Sequence, residues 1–295
     1  VAGLSFLPWV PTLLFQSQRT GTPWGGVERP TTAVVITIIE FAGRASAEPQ
    51  LMTYALVLLV VIALVGHRRG GDKWALVLAG PVRHGALWAL GLAAATLLIG
   101  STIAMVGGAT FVSRYAAVIY PIAVVLIGWG LASCPPRLRG TLAAVVLAGS
   151  LVGVALEVSM PRSISGVAAD VIAADAPDAL VVTCPDQLSV ALSRELDDGQ
   201  EIVSYPDLGS DPRFVDWVDY EERIDDADPA TVAAEVWRLA DGRPVVLGSA
   251  DTYVTHRTAC PAFLRALSDG HETRDLLVTT GDDAFEHMSL LLLEP

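Results

Sequence analysis

The chain has 295 residues, a length that suits about two domains, and 52% of them are hydrophobic, with a mean hydropathy of +0.50. That content excludes intrinsic disorder, and a count of three cysteines excludes a disulfide-rich miniprotein. The net charge of −13 conceals two unlike halves: residues 1–160 carry 10 basic and 5 acidic side chains, whereas residues 161–295 carry 9 and 27. A half at −18 repels phosphate backbones, so no nucleic-acid partner is expected.

The expected fold class is a multi-span α-helical membrane domain over residues 1–160, followed by a small soluble α/β domain with a layered sheet over residues 161–295. In chain order, Val1–Phe15 has the composition of a span cut in half, with Pro8 and Pro11 near its exit. It lacks the basic n-region and small-x-small cleavage site of a secretory signal. The chain opens on Val and not Met, so either an unusual start codon or a missing N-terminal portion is expected. Thr32–Ala42 is apolar but short, which suits a re-entrant or interfacial helix.

A helix needs roughly 20 apolar residues to cross the hydrocarbon core. Leu51–Gly66, Ala86–Val106, Tyr115–Ser133 and Thr141–Val158 are the candidate spans, the first short enough to borrow a turn on either side. Loops 67–85 and 134–140 hold Arg68, Arg69, Lys73, Arg83, Arg137 and Arg139, a denser basic content than loops 16–50 and 107–114. By the positive-inside rule the first pair is cytoplasmic. The expected localisation is then a multi-pass protein of the cell membrane with its C-terminal domain extracytoplasmic.

After Pro161 the pattern changes to short β-rich runs alternating with helical periods. Ala179–Thr183, Glu201–Tyr205, Pro244–Ser249, Asp275–Thr279 and His287–Leu293 read as strands, the continuously apolar ones as buried on both faces. Gln187–Leu196, Thr231–Ala240 and Cys260–Leu267 read as helices, with Asp228-Pro229 opening the second and Asp241-Gly242 stopping it.

Chemistry-bearing motifs are sparse. Neither G-x-G-x-x-G nor G-x-x-x-x-G-K occurs, so no cofactor is expected. His256, His271 and His287 are spread without the close pairing of a zinc motif and read as surface histidines. Asp216, Asp219 and Glu222 recur every three residues and would share a helical face, but such a run reads as a solvated face, and no metal site is expected. Cys184 and Cys260 fall in the outer half, where an oxidising compartment permits a bridge between them, while free thiols stay the alternative. A catalytic pairing of His256 with Cys260 lacks any accompanying oxyanion-hole or nucleophile-elbow signature.

Three segments carry a family resemblance: Phe6-Leu7-Pro8-Trp9-Val10-Pro11-Thr12 followed by Gly21-Thr22-Pro23-Trp24, and Ser113-Arg114-Tyr115-Ala116-Ala117-Val118-Ile119-Tyr120-Pro121. They resemble the C-terminal half of GT-C glycosyltransferases, in the branch that groups protein O-mannosyltransferases with the aminoarabinose transferase of lipid A in high-GC Gram-positive bacteria. Cys184-Pro185-Asp186-Gln187-Leu188 and Val215-Asp216-Trp217-Val218-Asp219-Tyr220 look like the extracytoplasmic tail of some of these proteins. The resemblance implies transfer of a sugar, mannose in the nearest cases, from a polyprenyl-phosphate carrier to a glycan or protein acceptor of the envelope.

On that reading the partners are the lipid bilayer, the polyprenyl-phosphate sugar donor and the acceptor. A lipid phosphate needs a cation at headgroup level. Arg114 and Tyr115, at the head of a span, are the first candidates, with snorkelling and an aromatic belt as the alternative roles. Arg19 and Trp24 are secondary candidates. In the family the catalytic aspartate lies in the first outer loop, before the point at which this chain starts. Glu28, Glu40 and Glu48 are the only acids in the outer loop present, and none lies in a recognisable acidic pair, so no catalytic base is assigned. The alternative expectation is a non-catalytic membrane-anchored protein whose outer α/β domain binds glycan or a protein partner.

Overall fold

The computed structural model describes residues 7–19, 26–42, 49–68, 76–78, 80–107, 110–159, 161–209, 211–251, 253, 257–281 and 283–295. The chain separates into two compact units, Val27–Ser159 on one hand and Met160–Pro295 with Val1–Gly26 on the other. A 3-10 turn, Leu7–Trp9, leads into helix α1, Val10–Arg19, of the latter.

The Val27–Ser159 unit is helical. It runs α2 (Pro30–Phe41), α3 (Pro49–Val65), a two-stranded antiparallel ribbon of β1 (His67–Arg68) and β2 (Leu76–Val77), then α4 (His84–Val106). A 3-10 segment, Ser113–Ile119, continues into α5 (Tyr120–Ser133), and α6 (Pro136–Ser159) closes the unit. Three helical stretches, His84–Val106, Ser113–Ser133 and Pro136–Leu156, are long and apolar enough to cross a membrane. At 1.5 Å per residue the shortest reaches about 31 Å. Their apolar side chains largely point outward: Trp88, Val106, Val118 and Leu147 are 62–78% exposed, a surface that water would not tolerate as a continuous patch.

The fourth expected span does not lengthen to match. Helix α3 makes its last i→i−4 bond from the Gly66 N–H to the Ile62 carbonyl, and the chain then turns directly into β1 at His67, leaving an apolar helix of 17 residues. The expected short helix at Thr32–Ala42 is α2, of 12 residues.

Helices α3 and α5 approach closely at Gly130, where an added Cβ would lie 2.8 Å from the Leu59 carbonyl carbon. Only a residue without a side chain permits that backbone contact. Leu59, Ile62 and Cys134 are buried beside it. One end of the bundle is tied by Arg83, which donates to the Gly66 carbonyl at 2.7 Å and to Ser133 Oγ. The expected cytoplasmic loops 67–85 and 134–140 thus meet at one end of the helices. The start of the Ser113–Ser133 stretch lies at the opposite end, where Ser113 Oγ donates to Glu40 at the close of α2.

The Met160–Pro295 unit is a three-layer α/β/α fold around a mixed five-stranded sheet. After α7 (Ser165–Asp175) come β3 (Leu180–Cys184), α8 (Gln187–Glu195) and β4 (Ile202–Ser204). Then follow α9 (Tyr220–Asp226), α10 (Pro229–Ala240), β5 (Val245–Ser249), α11 (Ala259–Ser268), β6 (Thr273–Leu277) and β7 (Ser289–Leu293). The spatial order is β4-β3-β5-β7-β6, with β7 running against all the others.

Alternation along the strands divides the core. Leu180, Val182, Val245 and Leu247 face α10 and α11, where they meet Val236 and Phe263. Val181 and Val246 face α7 and α8, where they meet Ile172 and Leu192. Burial on both faces is why these strands are unbroken apolar runs. Asp228 opens α10 by accepting the Thr231 N–H at 3.0 Å, and the left-handed Asp241 and Gly242 stop it.

Two sequence readings need correction here. Asp216, Asp219 and Glu222 do not share a helical face, because Asp219 has a left-handed φ of 52° and the helix starts only at Tyr220. Asp216 instead folds back on the Val218 N–H at 3.0 Å. His287 is not a surface residue: it precedes β7, at 4% exposure. Helix α7 had no expected counterpart, since its apolar face is built mostly of alanine.

Candidate functional site

Two places gather polar chemistry, one in each unit. In the helical unit, Arg114 and Tyr115 open the 3-10 segment at the head of the Ser113–Ser133 stretch, both exposed, with the guanidinium 5.5 Å from the Tyr115 ring centroid. Beside them lies an apolar crevice of about 360 Å³, walled by Leu97, Gly100 and Ile103 of α4 and by Phe111, Tyr115 and Ala116. Glu40, one of the three acids of the expected outer loop, reaches this helix head through Ser113, 73 positions away. Arg19 closes α1 in the other unit, so the two lie in separate bodies; Trp24 is outside the described residues.

In the α/β unit the polar residues collect along one edge of the sheet. The C-terminal ends of the parallel strands β4, β3 and β5, the end of β6 and the start of β7 all lie on it. Chain connections leave β3 toward β4 on one side, while β5 lies on the other, which makes the β3/β5 boundary a topological switch point. In open α/β sheets ligands bind outside the carboxyl ends of strands at such a point.

Cys184, the last residue of β3, is joined to Cys260 of α11 by a disulfide. The bridge anchors the helix to the central strand beside the switch point. Asp186 follows two residues later. Tyr220 donates its hydroxyl to Asp186 Oδ1 at 2.5 Å, and Gln187 Nε2 donates to the Tyr220 oxygen at 2.5 Å. Burial raises the Asp186 carboxyl to about 6, against the opposing pull of the Tyr220 hydrogen bond and the Arg223 charge. Burial first, and the Asp186 charge second, push the Tyr220 hydroxyl up. A carboxyl titrating near 6 can hold or release a proton in the range used by general acids and bases.

A second acid–tyrosine pair adjoins the first. Tyr253, past the end of β5, donates to Glu286 Oε1 at 3.3 Å, and burial raises the Glu286 carboxyl. Next to it, His287 Nε2 donates to Asp251 Oδ1 at 2.9 Å, while its Nδ1 is buried with no hydrogen-bond partner. Thr279 Oγ1 is likewise buried and unpartnered. Both residues line a cavity of about 310 Å³ on this edge.

The other sequence candidates lie elsewhere. His271 stacks on Trp237 at 3.9 Å and bonds the Glu294 carbonyl, a structural role at the far strand ends. His256 is outside the described residues. Among the described residues no group of three or more His, Cys, Asp or Glu side chains is placed to hold a metal ion. Compared with family models, with curated proteins and with solved structures, the chain finds no match.

Proposed function

We propose that this chain is a membrane-embedded and extracytoplasmic portion of a glycosyltransferase that moves a sugar, mannose by the resemblance above, from polyprenyl phosphate to an envelope acceptor. The observation that carries the reading is the juxtaposition at the Ser113–Ser133 helix head. A fixed cation, Arg114, sits where a span begins, and an apolar crevice shared by Tyr115 lies beside it. A lipid-linked phosphate needs both: charge-assisted donors for the anion and an apolar wall for the first isoprene units.

The orientation proposed is basic loops inside and the Arg114 end outside, since Arg and Lys concentrate on cytoplasmic loops. The Cys184–Cys260 disulfide supports an oxidising compartment for the α/β unit. Glu40, held at the same helix head, fixes the turn that presents Arg114.

The test is binding by the full chain in nanodiscs to polyprenyl-phosphate-mannose. Charge-assisted hydrogen bonds contribute about 1.5–3 kcal/mol, so Arg114→Ala weakens binding by about tenfold to a hundredfold, with Arg114→Lys in between. Equal affinity in all three proteins refutes the assignment and leaves Arg114 as a helix anchor.

A further inference from the structure

We infer that the cavity at the carboxyl edge of the α/β sheet is a binding site for a hydroxyl-rich ligand the size of one sugar ring. This inference stands apart from the lipid-phosphate site, since it rests on residues of the other unit. Its basis is two residues of one cavity wall, His287 and Thr279, each of which carries a buried polar atom without a partner, Nδ1 and Oγ1. His287 is 4% exposed, and a buried donor or acceptor left unpaired is costly.

The pairing of His287 Nε2 with Asp251 decides what its other nitrogen wants. With the proton on Nε2, the neutral ring presents Nδ1 as an acceptor. Asp251 itself is 94% exposed at its side chain and sits at the mouth, where it holds that tautomer. Thr279 contributes a hydroxyl that both donates and accepts. Its backbone N–H is accepted by Ser289 Oγ at 3.1 Å, and its hydroxyl has no partner in the protein. One ligand hydroxyl that donates to Nδ1 and a second that pairs with Thr279 satisfy both orphans.

The remaining walls narrow the class. Pro261 and Leu264 supply an apolar side against which the C–H face of a sugar ring packs, and Tyr253 and Ser249 lie at the end of β5. Arg257 is the only cation among the described lining residues, set against Asp251 and a domain at −18, so an inorganic or nucleotide phosphate is disfavoured. About 310 Å³ is at the small end of ligand pockets, enough for a monosaccharide and too little for a dinucleotide.

The test uses the full chain in nanodiscs and saturation-transfer NMR with free mannose, glucose, galactose, arabinose and, as the anionic comparator, inorganic phosphate. At least one sugar should bind with Kd of about 1 mM, and Thr279→Val should weaken it about tenfold. That variant is isosteric and removes a hydroxyl with no partner in the protein, so the fold is expected to survive. His287→Gln is the second variant and should weaken the same sugar without changing its rank among the others. Absence of any sugar signal overturns the inference, as does binding that both variants leave intact or a preference for phosphate. Because Arg114→Ala reads lipid-phosphate binding and Thr279→Val reads free-sugar binding, either assignment can fail without the other.

Discussion

Replacing Asp186 by Asn isolates the cost of placing a carboxylate at the end of β3. Burial raises its pKa from 3.8 to about 6, so the native state holds this proton more tightly than the unfolded chain. Between about pH 4 and pH 6 the unfolded state binds fewer protons than the native state, and stability falls as pH rises through that window. A shift of this size corresponds to about 3 kcal/mol, present below pH 4 and lost above pH 6. The Asn amide has the same shape, stays neutral, and its carbonyl still accepts the Tyr220 hydroxyl. Asp186→Asn should therefore stabilise the α/β unit by about 2–3 kcal/mol near pH 7.5, less the small attraction to Arg223, and by only a few tenths below about pH 4. Hydrogen exchange of the β3 and β5 amides in the full chain reads this directly, as protection raised about a hundredfold at the higher pH after correction for intrinsic rates. Destabilisation of the variant at pH 7.5, or an equal effect at both pH values, would refute burial as the dominant influence on Asp186.

Two further perturbations address how the units are held together internally. The Cys184–Cys260 bridge closes a loop with a sequence separation of 76, for which chain entropy gives about 4.5 kcal/mol. Replacing both cysteines by Ala should lower the urea midpoint of the α/β unit, followed by near-UV circular dichroism; an unchanged midpoint would show that the unfolded chain gains nothing from their release. In the helical unit, Gly130→Ala forces α3 and α5 apart at Leu59 and should cost about 1–3 kcal/mol, seen as a lower thermal midpoint in detergent, whereas Gly128→Ala, which meets open space, should leave it within error.

Much of the local structure was legible because its causes are local. Continuous apolar length located the three membrane-length helices to within a few residues, apart from Thr141, which the helix precedes by five positions at Pro136. Period-two and period-three-to-four patterns placed the strands and the helices between them, and Asp228-Pro229 and Asp241-Gly242 set the bounds of α10 through backbone geometry that neighbouring residues decide. The failures are also local in origin. A three-residue spacing of carboxylates suggested a helix at Asp216–Glu222, but a left-handed Asp219 delays the helix to Tyr220.

What no window of sequence contains is which elements become neighbours. The sheet order β4-β3-β5-β7-β6 brings Tyr220 to Asp186 across 34 positions and His287 to Asp251 across 36, and helix packing brings Glu40 to Ser113 across 73. Each of these residues alone looks like an ordinary surface side chain. Their burial, the raised Asp186 carboxyl and the orphaned His287 nitrogen exist only once a folded core has removed water from around them. Composition and hydropathy by themselves determined that this chain holds membrane-length helices and an acidic α/β body. The polar clusters at the Arg114 helix head and at the sheet edge were decided by tertiary structure, because desolvation and partner choice are properties of packing and not of order along the chain.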